Sequence, residues 1–105
     1  MGVVRESRTT QRYPIKGGVA VSWQDSHGSF RAIQAQGVNI SETGLEIEIP
    51  DSIDRGSNVT VRAEKLRLSA AAVVRYCRRN GPKFRLGLEF IGGLQWRPPV
   101  PGAAG

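Results

Sequence analysis

Period-two alternation constrains this chain more than any other feature. In Gly44–Ile49, GLEIEI, the residues Leu45, Ile47 and Ile49 alternate with Glu46 and Glu48, and Pro50 and Asp51 end the run. Successive side chains of a strand point to opposite faces. Such a segment has one apolar face to bury and one polar face for solvent. FRLGLEF (residues 84–90) repeats the pattern, with Phe84, Leu86, Leu88 and Phe90 opposite Arg85, Gly87 and Glu89. VAVSW (residues 19–23) reads as a strand, DSHGS as a turn and FRAIQAQGVNI (Phe30–Ile40) as the returning strand. NVTVRA and KLRLSAAAVVRYCRR read as a further pair. The alanine run is open to a helix, but Val73, Val74 and the NGPK turn that follows predict a strand. About six short strands joined by turns point to an antiparallel barrel or sandwich. The barrel is preferred because closure removes exposed edges. The closing stretch RPPVPGAAG has no periodicity and is expected to be irregular.

A chain of 105 residues fits one domain. Its single cysteine, Cys77, excludes an internal disulfide and, within an apolar alternation, reads as a packing residue. No charged segment followed by an apolar one opens the chain, and no run approaches the ~20 apolar residues of a membrane-spanning helix. A cytoplasmic location without membrane insertion is therefore expected, and the sequons at Asn39 and Asn58 read as accidental. The net charge of +6 is unevenly placed: residues 62–85 carry eight basic side chains against Glu64, whereas the acids collect between Glu42 and Asp54. That asymmetry fits an anionic partner.

Catalysis is not expected. His27 is the only histidine, in a turn and without clustered carboxylates or thiols, so no metal site is indicated. No strand-to-helix nucleophile elbow surrounds Ser41, and no Gly-rich loop enters a helix. The arginines are more informative. In RTTQR, Arg8 and Arg12 stand four residues apart, on one side of an extended arm. Each guanidinium is a rigid fork of donors suited to phosphate oxygens and to the O6/N7 edge of guanine. In NISETG, Asn39 offers an amide and Ser41 a hydroxyl, with Ile40 turned to the core. Gly44 permits a backbone geometry or close approach that a Cβ would block. Forked cations facing small neutral hydrogen-bonders suit an anionic, guanine-containing small molecule.

The pair of motifs resembles the PilZ domain family, whose signature is RxxxR followed by [D/N]xSxxG. RYP after the arginines and the late strand RLGLEF agree with it, and the resemblance covers roughly residues 5 to 92. It implies an all-β fold, a six-stranded antiparallel β-barrel, here with a flexible N-terminal arm (1–12) carrying RxxxR, a barrel (13–95) and an irregular Pro/Gly-rich tail (96–105). It implies cyclic di-GMP as ligand, with no further cofactor. Arg8 and Arg12 would hold guanine edges and phosphates, Asn39 and Ser41 would contact a guanine, and Gly44 would shape the turn. Asn39 stands where many members have aspartate, and Thr43 where a second glycine is frequent. A lone PilZ barrel implies an adaptor that signals to a protein effector or attached domain, its arm ordering on the ligand. Two rivals are a barrel that binds single-stranded nucleic acid and a PilZ-like protein-interaction module without ligand. The first needs exposed aromatics among basic residues, and Trp23, Tyr76 and Trp96 are scattered in the sequence.

Overall fold

Strands form where the alternation predicts them, and the chain turns where it stops. The computed structural model describes residues 11–92 and Trp96. Within them run β1 (Tyr13–Pro14), β2 (Gly18–Gln24), β3 (Phe30–Ile40), β4 (Gly44–Ile49), β5 (Asn58–Ala63), β6 (Leu68–Asn80) and β7 (Lys83–Phe90). They are hydrogen-bonded in the order β1-β3-β2-β5-β6-β7-β4, and a further pairing of β3 with β4 closes the sheet. Every pairing is antiparallel. The closed body is the expected six-stranded barrel. β1 is a two-residue addition beside the stretch of β3 that β2 does not reach.

The inward faces of the strands fill the interior. Val19 and Val21, Leu45, Ile47 and Ile49, Val59 and Val61, and Leu86, Leu88 and Phe90 are all buried. Each large aliphatic side chain removed from water contributes about 1.5–3 kcal/mol. Ala70 and Ala72, from the alanine run, are buried on the inner face of β6, with Leu68 and Val74 before and after them. That one-in-two burial is a strand's and not a helix's. Ile53, in the β4–β5 connection, joins the same core. At the β2–β3 turn Asp25 Oδ1 accepts the N–H groups of His27 and Ser29, each at 2.9 Å. The only histidine thus sits in a turn closed by a side chain on its own backbone.

Two sequence expectations change. The strand read from Lys65 begins instead at Leu68, because β5 and β6 pair up to Ala63 and Leu68 and the chain must reverse between them. Glu64–Leu66 form a 3-10 turn, and Arg67 takes the left-handed conformation (φ 53°), its N–H donating to the Glu64 carbonyl at 3.0 Å. Glu46, assigned to solvent by the alternation of β4, is only 9% exposed. Side chains from neighbouring strands cover it. Arg8, the rest of the arm up to residue 10 and the tail after Trp96 lie outside the described residues. Among those described, no helix is long and apolar enough to cross a membrane.

Candidate ligand-binding site

Two irregularities in the barrel aim the polar residues. Along β3 the buried residues are Ala35 and Ile40, an odd and an even position that a regular strand cannot both turn inward. The ladder to β4 resolves this: Gly37 pairs with Ile47, but Asn39 pairs with Glu46, so one residue is bulged between them. Without the bulge Asn39 would face Leu45 in the core. β6 does the same, its register slipping between Val74, which pairs with Leu88, and Tyr76, which pairs with Gly87. Val74 is buried, and only the extra residue at Arg75 brings Tyr76 to the other face. A bulge re-aims the side chains beyond it. Here two bulges place Asn39, Glu46, Gly87 and Tyr76 in one row across β3, β4, β7 and β6.

β1 brings Arg12 to this row. Pro14 pairs with Asn39, and the Ile15 N–H donates to the Val38 carbonyl at 3.1 Å. Arg12, two residues before Pro14, donates from Nη1 to Asn39 Oδ1. On its other side Asn39 donates from Nδ2 to Glu46 Oε1 at 2.7 Å. The second carboxylate oxygen, Oε2, accepts the Tyr76 hydroxyl at 2.8 Å. Tyr76 reaches that far because Gly87 lies between: a Cβ there would stand 2.1 Å from the tyrosine ring. The Arg78 guanidinium lies 4.7 Å from the centre of the same ring.

The NISETG turn supports the row from below. Ser41 Oγ accepts the N–H groups of Thr43 at 3.2 Å and Gly44 at 3.1 Å, and its own N–H donates to the Gly44 carbonyl at 2.9 Å. The Thr43 carbonyl accepts from Phe90 N–H at 2.8 Å, tying the turn to β7. A Cβ on Gly44 would fall 2.5 Å from the Leu88 carbonyl oxygen, so the close approach expected of this glycine is made to backbone. Ser41 is 2% exposed, because β3 ends at Ile40 and the chain folds inward. Its hydroxyl oxygen is turned to the turn's own backbone.

Charge gathers around Glu46. Arg85 Nη1 lies 3.7 Å and Arg78 Nη2 4.0 Å from its Oε2. Burial by itself raises the Glu46 pKa. The hydrogen bonds from Tyr76 and Asn39 and the charges of Arg85 and Arg12 outweigh it, and the carboxyl is held below its ordinary value of 4.5. Burial and the facing carboxylate push the Tyr76 hydroxyl above its ordinary value of 10.0. The pair is therefore a carboxylate accepting from a neutral phenol. Arg12, Thr43, Gly44, Arg75, Tyr76, Gly87, Leu88 and Glu89 line a depression of about 190 Å³ beside it.

A larger hollow of about 480 Å³ shares no residue with this depression. Its lining includes Asp25, Asp51 and Asp54, and Arg31 is engaged there with Asp25 and Asp51. That lining repels an anion, so size alone does not choose the site. Of the residues expected from the sequence, Arg12 and Asn39 meet, Gly44 and Ser41 form the turn beneath, and Arg8 is outside the described residues. Glu46, Tyr76, Arg78, Arg85 and Gly87 were not foreseen. Glu46 was within reach, since a hairpin closing at Ile40 and Leu45 sets Asn39 opposite it. Tyr76 was not, since its side depends on the bulge.

The PilZ domain family model matches residues 6–95. Comparison with curated proteins gives no significant match.

Proposed function

The chain belongs to the PilZ domain family, and from that membership we propose that it is a cyclic di-GMP receptor whose ligand lies across the row Arg12, Asn39, Glu46 and Tyr76. One observation carries this reading: Arg12 and Asn39, from the two halves of the signature and 27 residues apart, are in direct contact. Arg8 joins Arg12 in holding phosphates and guanine edges. Asn39 contacts a guanine, and Ser41 and Gly44 hold the turn that presents it. Tyr76 and Arg78 add a ring and a guanidinium plane on which a base can stack. The depression, at about 190 Å³, is smaller than the ~300–1,000 Å³ of pockets that enclose a whole small molecule. It takes part of the ligand, and the arm closes on the remainder. Closure changes the surface offered to a protein effector or attached domain, which is how the signal leaves the barrel.

The aromatics do not favour the nucleic-acid rival. Trp23 is buried and Trp96 packs on Tyr13, ring centres 5.8 Å apart, so neither serves as a stacking platform. Phe30, 76% exposed, stands at the far end of β3 from Asn39. Calorimetry decides among the readings. Cyclic di-GMP should bind, with GTP and a short oligonucleotide far weaker. Arg12→Ala and Arg8→Ala should each weaken it about ten- to a hundredfold, the loss of a charge-assisted hydrogen bond worth ~1.5–3 kcal/mol. Lysine should rescue poorly, lacking the planar fork. Unchanged affinity in both alanine variants would remove the site from this face. No binding by the wild type would leave the protein-interaction module.

A further inference from the structure

Asn39 has two faces, and the structure engages each with a group that permits only one orientation. An amide is ambiguous by itself, its oxygen accepting and its nitrogen donating. Arg12 has donors only, so the Asn39 atom it touches is Oδ1. An ionised carboxylate has acceptors only, so the atom facing Glu46 is Nδ2. Glu46 in turn cannot rotate away. Its other oxygen holds the Tyr76 hydroxyl, Arg85 and Arg78 flank it, and it is nine-tenths buried. From this geometry we infer that Glu46 is a positioning residue: it locks the Asn39 amide so that an oxygen faces the ligand, and it is why an asparagine can stand at this position.

The inference rests on the proposed cyclic di-GMP reading and adds what selects the base. The lone pair of Asn39 Oδ1 that Arg12 leaves free accepts from an N–H on the Watson–Crick edge of guanine, N1–H or N2–H. Adenine offers an unprotonated N1 there. With Asn39 turned over, the same position offers donors, and the discrimination goes. Asn39 locked by Glu46 thus presents an acceptor where an aspartate would present one, without a second negative charge beside the ligand's phosphates. It also follows that the residues at positions 39 and 46 are exchangeable only together. Asn39→Asp alone sets two carboxylates at hydrogen-bonding distance, which is unfavourable. Glu46→Gln alone puts a reversible amide at 46. Its oxygen can accept from Asn39 while its nitrogen donates to the Tyr76 hydroxyl, or the reverse, so the orientation of Asn39 is no longer fixed. The two substitutions together restore the hydrogen bonds of the row, leaving Arg85 and Arg78 beside a neutral amide. The new glutamine amide donates to one oxygen of the new aspartate, and Arg12 donates to the other. The glutamine oxygen then accepts from Tyr76, and net charge is unchanged.

The test is a thermodynamic cycle on the full chain, with cyclic di-GMP and cyclic di-AMP affinities for the wild type, Asn39→Asp, Glu46→Gln and the double variant. Each single change should lower cyclic di-GMP affinity by about tenfold or more, the scale of one lost charge-assisted hydrogen bond. Glu46→Gln should also narrow the preference over cyclic di-AMP. The double variant should return to within about threefold of wild type and recover the preference, the coupling expected of residues in contact. General loss of stability would lower affinity for both ligands alike and would not be repaired by a second substitution. Single variants that bind like wild type, or a double variant no better than the worse single, overturn the inference. A second measurement needs no ligand. By NMR, the Asn39 side-chain NH2 protons should be protected from solvent exchange in the wild type, with the one bonded to Glu46 shifted downfield, and both features should be lost in Glu46→Ala. If the wild type binds no cyclic di-GMP, the proposed function falls and this measurement still decides the orientation. An Asn39 side-chain amide that exchanges as fast in the wild type as in Glu46→Ala overturns it.

Discussion

At the scale of the residue, Glu46 has the most to lose from a change of pH. Its carboxyl is held below the ordinary 4.5 by donors and cations that outweigh its burial. A depressed folded-state pKa means the unfolded chain binds the proton more readily. The contribution is therefore complete above the unfolded value and is lost as pH falls through the folded one. Both stability and the orientation of Asn39 should hold from neutral pH down to about the ordinary carboxylate range and fail below it. Tyr76 carries the opposite sign. Its raised pKa contributes below 10.0 and is lost as pH rises through the higher folded value. The side-chain amide resonances of Asn39, followed by NMR in an acid titration, check the first limb. An amide unmoved until the whole domain unfolds, in Glu46→Gln as in wild type, would show that the carboxylate has no special part.

Among the elements, the pairing of β6 with β7 has the most consequence, because a glycine makes room for a ring. Gly87 lies opposite Tyr76, and any Cβ there meets the ring far inside van der Waals contact. Gly87→Ala should therefore push Tyr76 from Glu46 and cost about 1–3 kcal/mol, the usual penalty for forcing atoms into a packed site. In a Tyr76→Ala background the clash is gone, and the same substitution should cost far less. Urea denaturation of the four proteins gives the coupling directly. Additive losses would mean that the glycine serves the strand and not the ring. Alternation had placed Gly87 correctly on the polar face of β7. What it guards sits on another strand, and no pattern within RLGLEF records that.

For the whole molecule, the barrel makes a platform and Arg12 is brought to its edge. β1 and the Ile15–Val38 hydrogen bond anchor the chain beside the bulge of β3, so Arg12 arrives at Asn39 without crossing the barrel. On the proposed reading, the depression beside Tyr76 takes only part of a dinucleotide, and closure by residues preceding Arg12 supplies the remainder. Fixing each backbone residue costs about 1–2 kcal/mol, which the ligand's phosphates and guanines must offset. Saturation with cyclic di-GMP should therefore reduce fast backbone motion at residues 5–12, measured by heteronuclear NMR relaxation with and without ligand. Relaxation unaltered by saturation would exclude the arm from the signal.

The alternation of β4 and β7, the turns at Asp25 and Asn80, and the two motifs were legible because each is local. Period two, a turn residue and a spacing within one segment are properties of neighbours along the chain, and they sufficed for an antiparallel barrel, for Arg12 opposite Asn39 and for the close approach at Gly44. The tertiary structure alone decided which partners each polar residue met. A single bulged residue in β3 and another in β6 reverse the parity of everything beyond them, carrying Asn39 and Tyr76 outward from positions that a regular strand would have buried. It also decided that Glu46, polar by pattern, would be covered and charged at once. Its partners Asn39, Tyr76 and Arg85 come from three other strands. An acid's surroundings are set by register between strands, and register becomes fixed only when the apolar faces close on one another.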